Sequence, residues 1–223
     1  MAGLWPTVLT IRRPDGPAVV LRALRGRDRT EWEALRRANR GWLLPWEATN
    51  PFPQDSMRYR QLVRYNDSEA QAGRLQPFVL EAGGRLVGQM HLFGIAWGSL
   101  RGGAAGYWVA REWAGRGIAP LALAALVDHA FYGLGLHRVE VNVRPENKAS
   151  LRVMDKLEFR DEGLRSRFLH IDGQWCDHRT FALTVEDLAG QTLLSRWNAA
   201  RLRTKEASDE RPTGLEVCPD SPN

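Results

Sequence analysis

The stretch from Ile118 to Leu136 is the most apolar in the chain, and it limits what the rest can fold into. Leu123, Leu126, Val127, Ala130 and Phe131 recur at helical spacing, and Gly133 and Gly135 end the pattern. A helix this apolar has to be covered on most of its surface, by lipid or by protein. Asp128 and His129 fall mid-segment, where an ionisable pair is costly in hydrocarbon, so the segment reads as a core helix. The covering layer must then come from the flanking sequence.

Those flanks read as strands and amphipathic helices. Residues 18–24 (AVVLRAL) read as a strand, and 27–43 as one helix with Trp32, Leu35 and Ala38 on a stripe and Asp28 or Thr30 as its cap. The Pro-broken run 45–54 reads as a loop, followed by a polar helix over 57–71 with Tyr59, Leu62 and Val63 inward. Residues 76–98 carry two strand-like runs about Gly83-Gly84, a hairpin signal. A strand at 104–110 precedes the apolar helix, and 138–144 alternates as a strand before a shorter helix in 145–159. Residues 165–184 form two β-rich runs about Asp172-Gly173, the strongest short hairpin signal. A helix is expected from Glu186 to about Lys205. The expected fold is α/β in the α+β sense: a mixed, mostly antiparallel sheet flanked by helices, with one parallel step around the apolar helix.

A chain of 223 residues with 43% hydrophobic content suits one well-buried domain. The expected layout is an N-terminal arm (1–17), a domain over 18–188, a C-terminal helix (189–205) and a disordered tail (206–223). A formal charge of +5 favours acidic or phosphate-bearing ligands. The arginines are scattered and no basic run of four occurs, so direct nucleic-acid binding is not expected. The two cysteines, Cys176 and Cys218, supply neither a disulfide framework nor a metal site. The first ten residues lack the basic start and apolar run of a signal peptide, which points to a cytoplasmic location without membrane attachment.

Two segments carry chemistry. In "EWAGRGIAP" (112–120), Gly115 and Gly117 flank Arg116 just before the apolar helix. A loop entering a helix start leaves backbone N–H groups unmet at the positive end of the helix dipole, where phosphate fits. The dinucleotide fingerprint fails because Pro120 stands where its third glycine belongs, and no Gly-Lys followed by Ser or Thr occurs. In "PENKAS" (145–150), Asn147 sits at an N-cap position with Ser150 in the first turn.

The ordered combination of strand, Gly-Arg-Gly loop, apolar helix, strand and Pro-Glu-Asn-x-x-Ser helix resembles the Gcn5-related N-acetyltransferase (GNAT) superfamily. More narrowly it is similar to the RimJ/RimL branch of ribosomal-protein N-terminal acetyltransferases, a likeness that runs from about Val19 to Leu188 and includes the closing hairpin with Gly173, Trp175, Asp177 and His178. The resemblance implies a GNAT-type sheet with splayed central strands, acetyl-CoA as co-substrate and no metal. It implies that Gly115, Arg116, Gly117, Ile118 and Ala119 offer backbone N–H groups to the coenzyme A pyrophosphate. Trp108 and Val109 would lie on the strand that pairs with the pantetheine arm, with Asn147 beside that arm and Ser150 near the sulfur. Three positions depart from the pattern: Glu112 stands where a donor side chain is common, Met154 where relatives carry a general-acid Tyr, and Glu158 where a Gly usually precedes Phe. Ser150 then becomes the candidate donor to the leaving thiolate.

The expected reaction is direct acetyl transfer to a primary amine, and only the neutral amine attacks. An α-amine with pKa near ~7.8 is roughly a tenth neutral at pH 7, against under ~0.1% for a lysine near ~10.4. A protein N-terminus therefore needs only a modest base or a positioned water. Candidates are Glu140, Asp177, His178 and His170; Glu140 is either that base or an arginine's ion-pair partner. Trp42, Trp46 and Phe52 either line an acceptor groove or pin their loop to the core, and Trp46 and His178 are the residues assigned to the acceptor. The expected partner is a protein or peptide N-terminus, with a ribosomal protein as one candidate, met by a monomer or homodimer. A small-amine acetyltransferase and a non-catalytic coenzyme A-binding or ribosome-associated module are the alternatives.

Overall fold

The computed structural model describes residues 5–52 and 57–209. Its strands are β1 (Leu9–Ile11), β2 (Val19–Ala23), β3 (Leu75–Ala82), β4 (Arg85–Ala96), β5 (Gly102–Val109), β6 (Arg138–Val143), β7 (Arg160–Ile171) and β8 (Gln174–Thr184). Its helices are α1 (Arg29–Ala38), α2 (Arg40–Leu43), α3 (Tyr59–Gln71), α4 (Ile118–Asp128), α5 (Lys148–Lys156) and α6 (Leu193–Asp209). The strands form one sheet in the order β1-β2-β3-β4-β5-β6-β8-β7. Every neighbouring pair is antiparallel except β5 and β6, whose crossover is α4. The mixed, mostly antiparallel sheet with a parallel step is the architecture expected.

α4 explains the shape of the core. Leu121, Ala122, Leu123, Ala124, Leu126 and Val127 are all buried, because the helix lies between the sheet and α6 with α5 alongside. Each large side chain removed from water contributes about 1.5–3 kcal/mol. Asp128 does not interrupt this packing. Its carboxylate accepts the N–H groups of Leu193 at 2.7 Å and Leu194 at 3.0 Å, meeting two orphan donors at the start of α6. Burial raises its pKa and those two bonds only partly offset it.

The opposite face of the sheet is covered by α1 and α3 through Leu24, Trp32, Tyr59, Val79 and Leu86. Here buried Arg22 pairs with buried Asp28 (2.7 Å) and half-buried Glu81 (2.7 Å). Burial alone would raise the Asp28 carboxyl, but the Arg22 hydrogen bond and the Arg25 backbone N–H hold it below the usual carboxylate range.

Four boundaries differ from the sequence reading. The single helix expected over 27–43 is a short turn at Gly26–Asp28 and then α1 and α2, broken at Asn39. Asn39 donates its side-chain amide back to the Leu35 carbonyl (2.9 Å) and accepts the Arg111 N–H (2.8 Å), which ends α1 and ties it to the chain after β5. Asp28 accepts the Arg25 N–H rather than capping α1. Within the expected N-terminal arm, Leu9–Ile11 is an edge strand paired with β2. α6 begins at Leu193, after a short turn at Val185–Leu188, and runs past Lys205 to Asp209; the rest of the expected tail lies outside the described residues.

Candidate active site

β5 and β6 are paired only over Gly102–Ala104 and Arg138–Glu140. Beyond that they part, while β5 stays paired with β4 to Val109 and β6 with β8 to Val143. Alternate residues of an antiparallel strand point their main-chain groups to opposite sides. Since the Ala110 N–H bonds the Val87 carbonyl at 2.8 Å, Trp108 also turns its main chain to β4. Tyr107 and Val109 turn theirs into the gap. Trp108 also lies on this strand and borders the cavity described below; its indole donates to Gln89 (3.2 Å) and packs on Trp32, and its main chain faces β4. The Val109 carbonyl accepts the Trp42 indole N–H at 3.1 Å.

At one mouth of the gap stands the glycine loop. Gly115 (φ 77°) and Gly117 (φ 73°) occupy the left-handed region that side chains disfavour. A Cβ added at either would project into open space, so the room beside the loop is free. No side chain caps α4, which leaves the first N–H groups of the helix exposed at the positive end of its dipole. Arg13, reaching from the β1–β2 connection, donates to the Arg116 carbonyl at 2.8 Å and steadies the loop from outside. The Arg116 guanidinium itself lies over Trp113. Glu112 faces Arg85 (3.4 Å) and the Trp113 indole (3.2 Å) and lies outside the cavity, so its charge is not aimed at the loop.

That cavity, about 310 Å³, runs from the loop past Val109 to α5. Asn147 caps α5 as its sequence position suggested, accepting the Ser150 N–H at 3.0 Å. Lys148, Arg152 and Lys156, spaced four apart on one helical face, also border it. The same spacing was visible in the sequence, and it is the signal that points to a cationic rim.

A second cavity of about 390 Å³ opens beyond the gap, between β5, β6, β7 and β8. Trp46, Tyr107, Asn147 and Ser150 line both cavities, so they form the seam between them. Met154, by contrast, is buried in the hydrophobic core. A phenol does stand at the seam, Tyr107 of β5, a residue that sequence reasoning passed over. The Tyr107 hydroxyl is buried and lacks a well-aligned hydrogen bond among the described residues. Burial pushes it up to about 12, partly offset by the neighbouring Ser150 hydroxyl.

Charged and aromatic side chains build the second cavity. Glu140 takes the ion-pair alternative: one oxygen meets Arg138 at 2.9 Å and the other Arg165 at 3.2 Å. Arg138 continues to Glu162, and Arg165 stacks on Phe168. With both oxygens engaged, Glu140 holds Arg165 at the edge of the cavity. His178 is buried, and its Nδ1 contacts the Cys176 carbonyl at 3.0 Å, leaving Nε2 for the cavity. Burial lowers its pKa despite that bond, keeping the ring neutral near pH 7. Asp177 accepts the Arg167 N–H on its own and makes no dyad with His178. His170 bonds Thr49 through Nδ1 (2.8 Å) and its carbonyl, pinning the Trp46 loop to β7. Arg144 adds a bond to the Pro45 carbonyl and lies over the Trp46 ring. Trp46 is thus both pinned and cavity-lining, while Phe52 stays exposed.

A parted strand edge, an uncapped helix start with free space above it and a cavity passing between strands together fit an extended, phosphate-bearing acyl carrier and a nucleophile approaching from the far side. The acetyltransferase (GNAT) domain model matches residues 18–160. The ribosomal protein uS5 alanine N-acetyltransferase of Escherichia coli is 30% identical over 179 residues, covering 76% of this chain and 89% of that protein. A probable N-acetyltransferase of Bacillus subtilis, YjcK, is 39% identical over 103 residues, spanning 46% of this chain and 57% of that relative. Among solved structures, Mycobacterium smegmatis RimJ in complex with CoA-disulfide has a TM-score of 0.82 at 38% identity, covering 90% of this chain and 98% of that one. The chain belongs to the GNAT acetyltransferase family. It is an acetyl-CoA-dependent acetyltransferase of the RimJ/RimL type.

Among the described residues no cluster of three His, Cys, Asp or Glu could hold a metal ion. Nor is any described helix long and apolar enough to cross a membrane.

Proposed function

We propose that this enzyme acetylates the N-terminal α-amine of a protein, with a ribosomal protein as the acceptor class favoured by its relatives. The observation that carries the reading is the pair of cavities meeting at Trp46, Tyr107, Asn147 and Ser150. One leads to the glycine loop, and the other opens among residues suited to receiving a chain end.

When bound, acetyl-CoA supplies the activated acetyl group. On the donor side, the N–H groups of Gly115, Arg116, Gly117, Ile118 and Ala119 would hold its pyrophosphate. Val109 and Tyr107 would offer their gap-facing main chain to the pantetheine arm, beside Asn147. Ser150 would donate to the sulfur as negative charge develops there. On the acceptor side, Arg165 held by Glu140 and the ring of Phe168 would shape the site. Neutral His178 is the group suited to take the proton shed by the amine, directly or through a water. An α-amine asks little of that base, because about a tenth of it is already neutral at pH 7.

The test is turnover on a panel of peptides with free or blocked N-termini, peptides bearing only a lysine amine, and small amines. Efficient acetylation of free N-termini is expected. Turnover confined to small amines would overturn the assignment. Mass spectrometry of protein N-termini from cells with and without the gene then names the acceptor.

A further inference from the structure

Tyr107 lines both cavities at the seam, yet its buried hydroxyl finds no well-aligned partner. Buried hydroxyls are normally satisfied, and the other tyrosines buried or docked in this fold are: Tyr59 donates to the Arg25 carbonyl (2.6 Å) and Tyr132 to the Gln191 carbonyl (2.6 Å). The neighbour that acts on the Tyr107 phenol is the Ser150 hydroxyl. Ser150 has its backbone N–H fixed by Asn147, while its hydroxyl stays free to rotate toward either side.

We infer that Tyr107 is a positioning residue for acetyl transfer: once coenzyme A occupies the gap, its hydroxyl donates to Ser150 Oγ, which turns the Ser150 O–H toward the leaving sulfur. This rests on the proposed role of Ser150. In the transfer, the amine lone pair forms the new C–N bond, the C–S bonding pair leaves on sulfur, and the surplus proton on nitrogen departs on the acceptor side. Neither hydroxyl loses its proton. Two aligned O–H dipoles polarise one another, so the charge on sulfur meets a stronger donor than serine alone. A phenol that resists ionisation suits this task, since it remains a donor across the working pH range.

The experiment compares Tyr107→Phe, Ser150→Ala and the double variant in the full chain. Two readouts are used: steady-state kinetics, and the thiol pKa of enzyme-bound coenzyme A, followed by thiolate absorbance in the ultraviolet. Tyr107→Phe is expected to lower kcat about tenfold with both KM values unchanged. It should also raise the bound-thiol pKa by about half a unit or more. In the Ser150→Ala background it should add nothing. Without coenzyme A its unfolding temperature should equal or exceed that of the parent chain, because in the free protein the hydroxyl removed has no well-aligned bond to lose. Wild-type values of both kcat and bound-thiol pKa in Tyr107→Phe would overturn the inference, as would losses that multiply in the double variant. If Ser150→Ala moves both readouts and Tyr107→Phe moves neither, only the inference fails. If Ser150→Ala moves neither, the serine assignment fails first.

Discussion

The two sides of the parted strands are built from different materials. On the proposed donor side the surface is main chain: the loop at Gly115 and Gly117, the uncapped start of α4 and the gap-facing edge of β5. On the proposed acceptor side it is long side chains, Glu140, Arg165, Phe168 and His178, contributed by three strands and fixed by one another. Main chain recognises what every substrate cycle repeats, and it is indifferent to most substitutions. Side chains recognise what distinguishes one acceptor from another, and single substitutions can reshape them.

The largest effect that would sharpen this contrast comes from Gly117→Val. A β-branched residue at φ 73° is strained by about 1–3 kcal/mol, and its side chain enters the space beside the loop. Coenzyme A affinity, measured by calorimetry, is expected to fall on the order of 100-fold, with the peptide KM within about twofold. The mirror-image change is Arg165→Met, which frees one Glu140 oxygen and unstacks Phe168. It should raise the peptide KM about tenfold and leave coenzyme A affinity alone; a reversed pattern would break the division between the two sides.

A smaller effect is expected from acidity. The His178 pKa is lowered in the fold, so the unfolded chain binds the extra proton first. The stability gained from a neutral His178 is therefore full above about pH 6.5 and is lost as pH falls from there through the lowered folded value. kcat/KM for the peptide should climb through neutral pH as the free α-amine loses its proton, with a steeper acid limb below about pH 6.5 where His178 is also protonated; His178→Gln should remove that extra steepness, while coenzyme A binding over the same range is unchanged by the substitution.

The smallest change should touch neither side. Glu158 holds φ 56° just past the end of α5, a conformation glycine adopts without cost. Glu158→Gly should stabilise the fold by about 0.5–1 kcal/mol in denaturant titration, with both substrate affinities intact. The exposed ion pair with Arg196 that it removes is worth little.

The same division governs what could be read in advance. The loop glycines, the Asn147 cap and both hairpins are local chemistry, and local chemistry is written in consecutive residues. Asp172 and Gly173 at positive φ join β7 to β8 as the Asp-Gly pair foretold. Glu140 as half of an ion pair was legible only as one of two readings, because Arg165 lies 25 residues away and meets it across the sheet. Asp128 looked like a polar flaw in an apolar helix, since its partners, Leu193 and Leu194, arrive 65 and 66 residues later. Tyr107 was invisible for a subtler reason: its neighbours in sequence mark it as ordinary strand, and only the parting of β5 from β6 leaves its hydroxyl between two cavities. β1 is three residues long, too short for alternation to announce it.

The indole of Trp42 on the Val109 carbonyl has a consequence for how tightly anything extended can bind in the gap. A carbonyl oxygen has a second lone pair, so an extended ligand adds its bond to an acceptor the protein already uses, and gains less than it would from a bare one. Recognition at that position then supplies alignment more than affinity, and in the proposed function the main hold on the carrier falls to the phosphate end of the groove. A carrier fastened at its far end and merely aligned near its reactive end is one that releases readily once its cargo has gone.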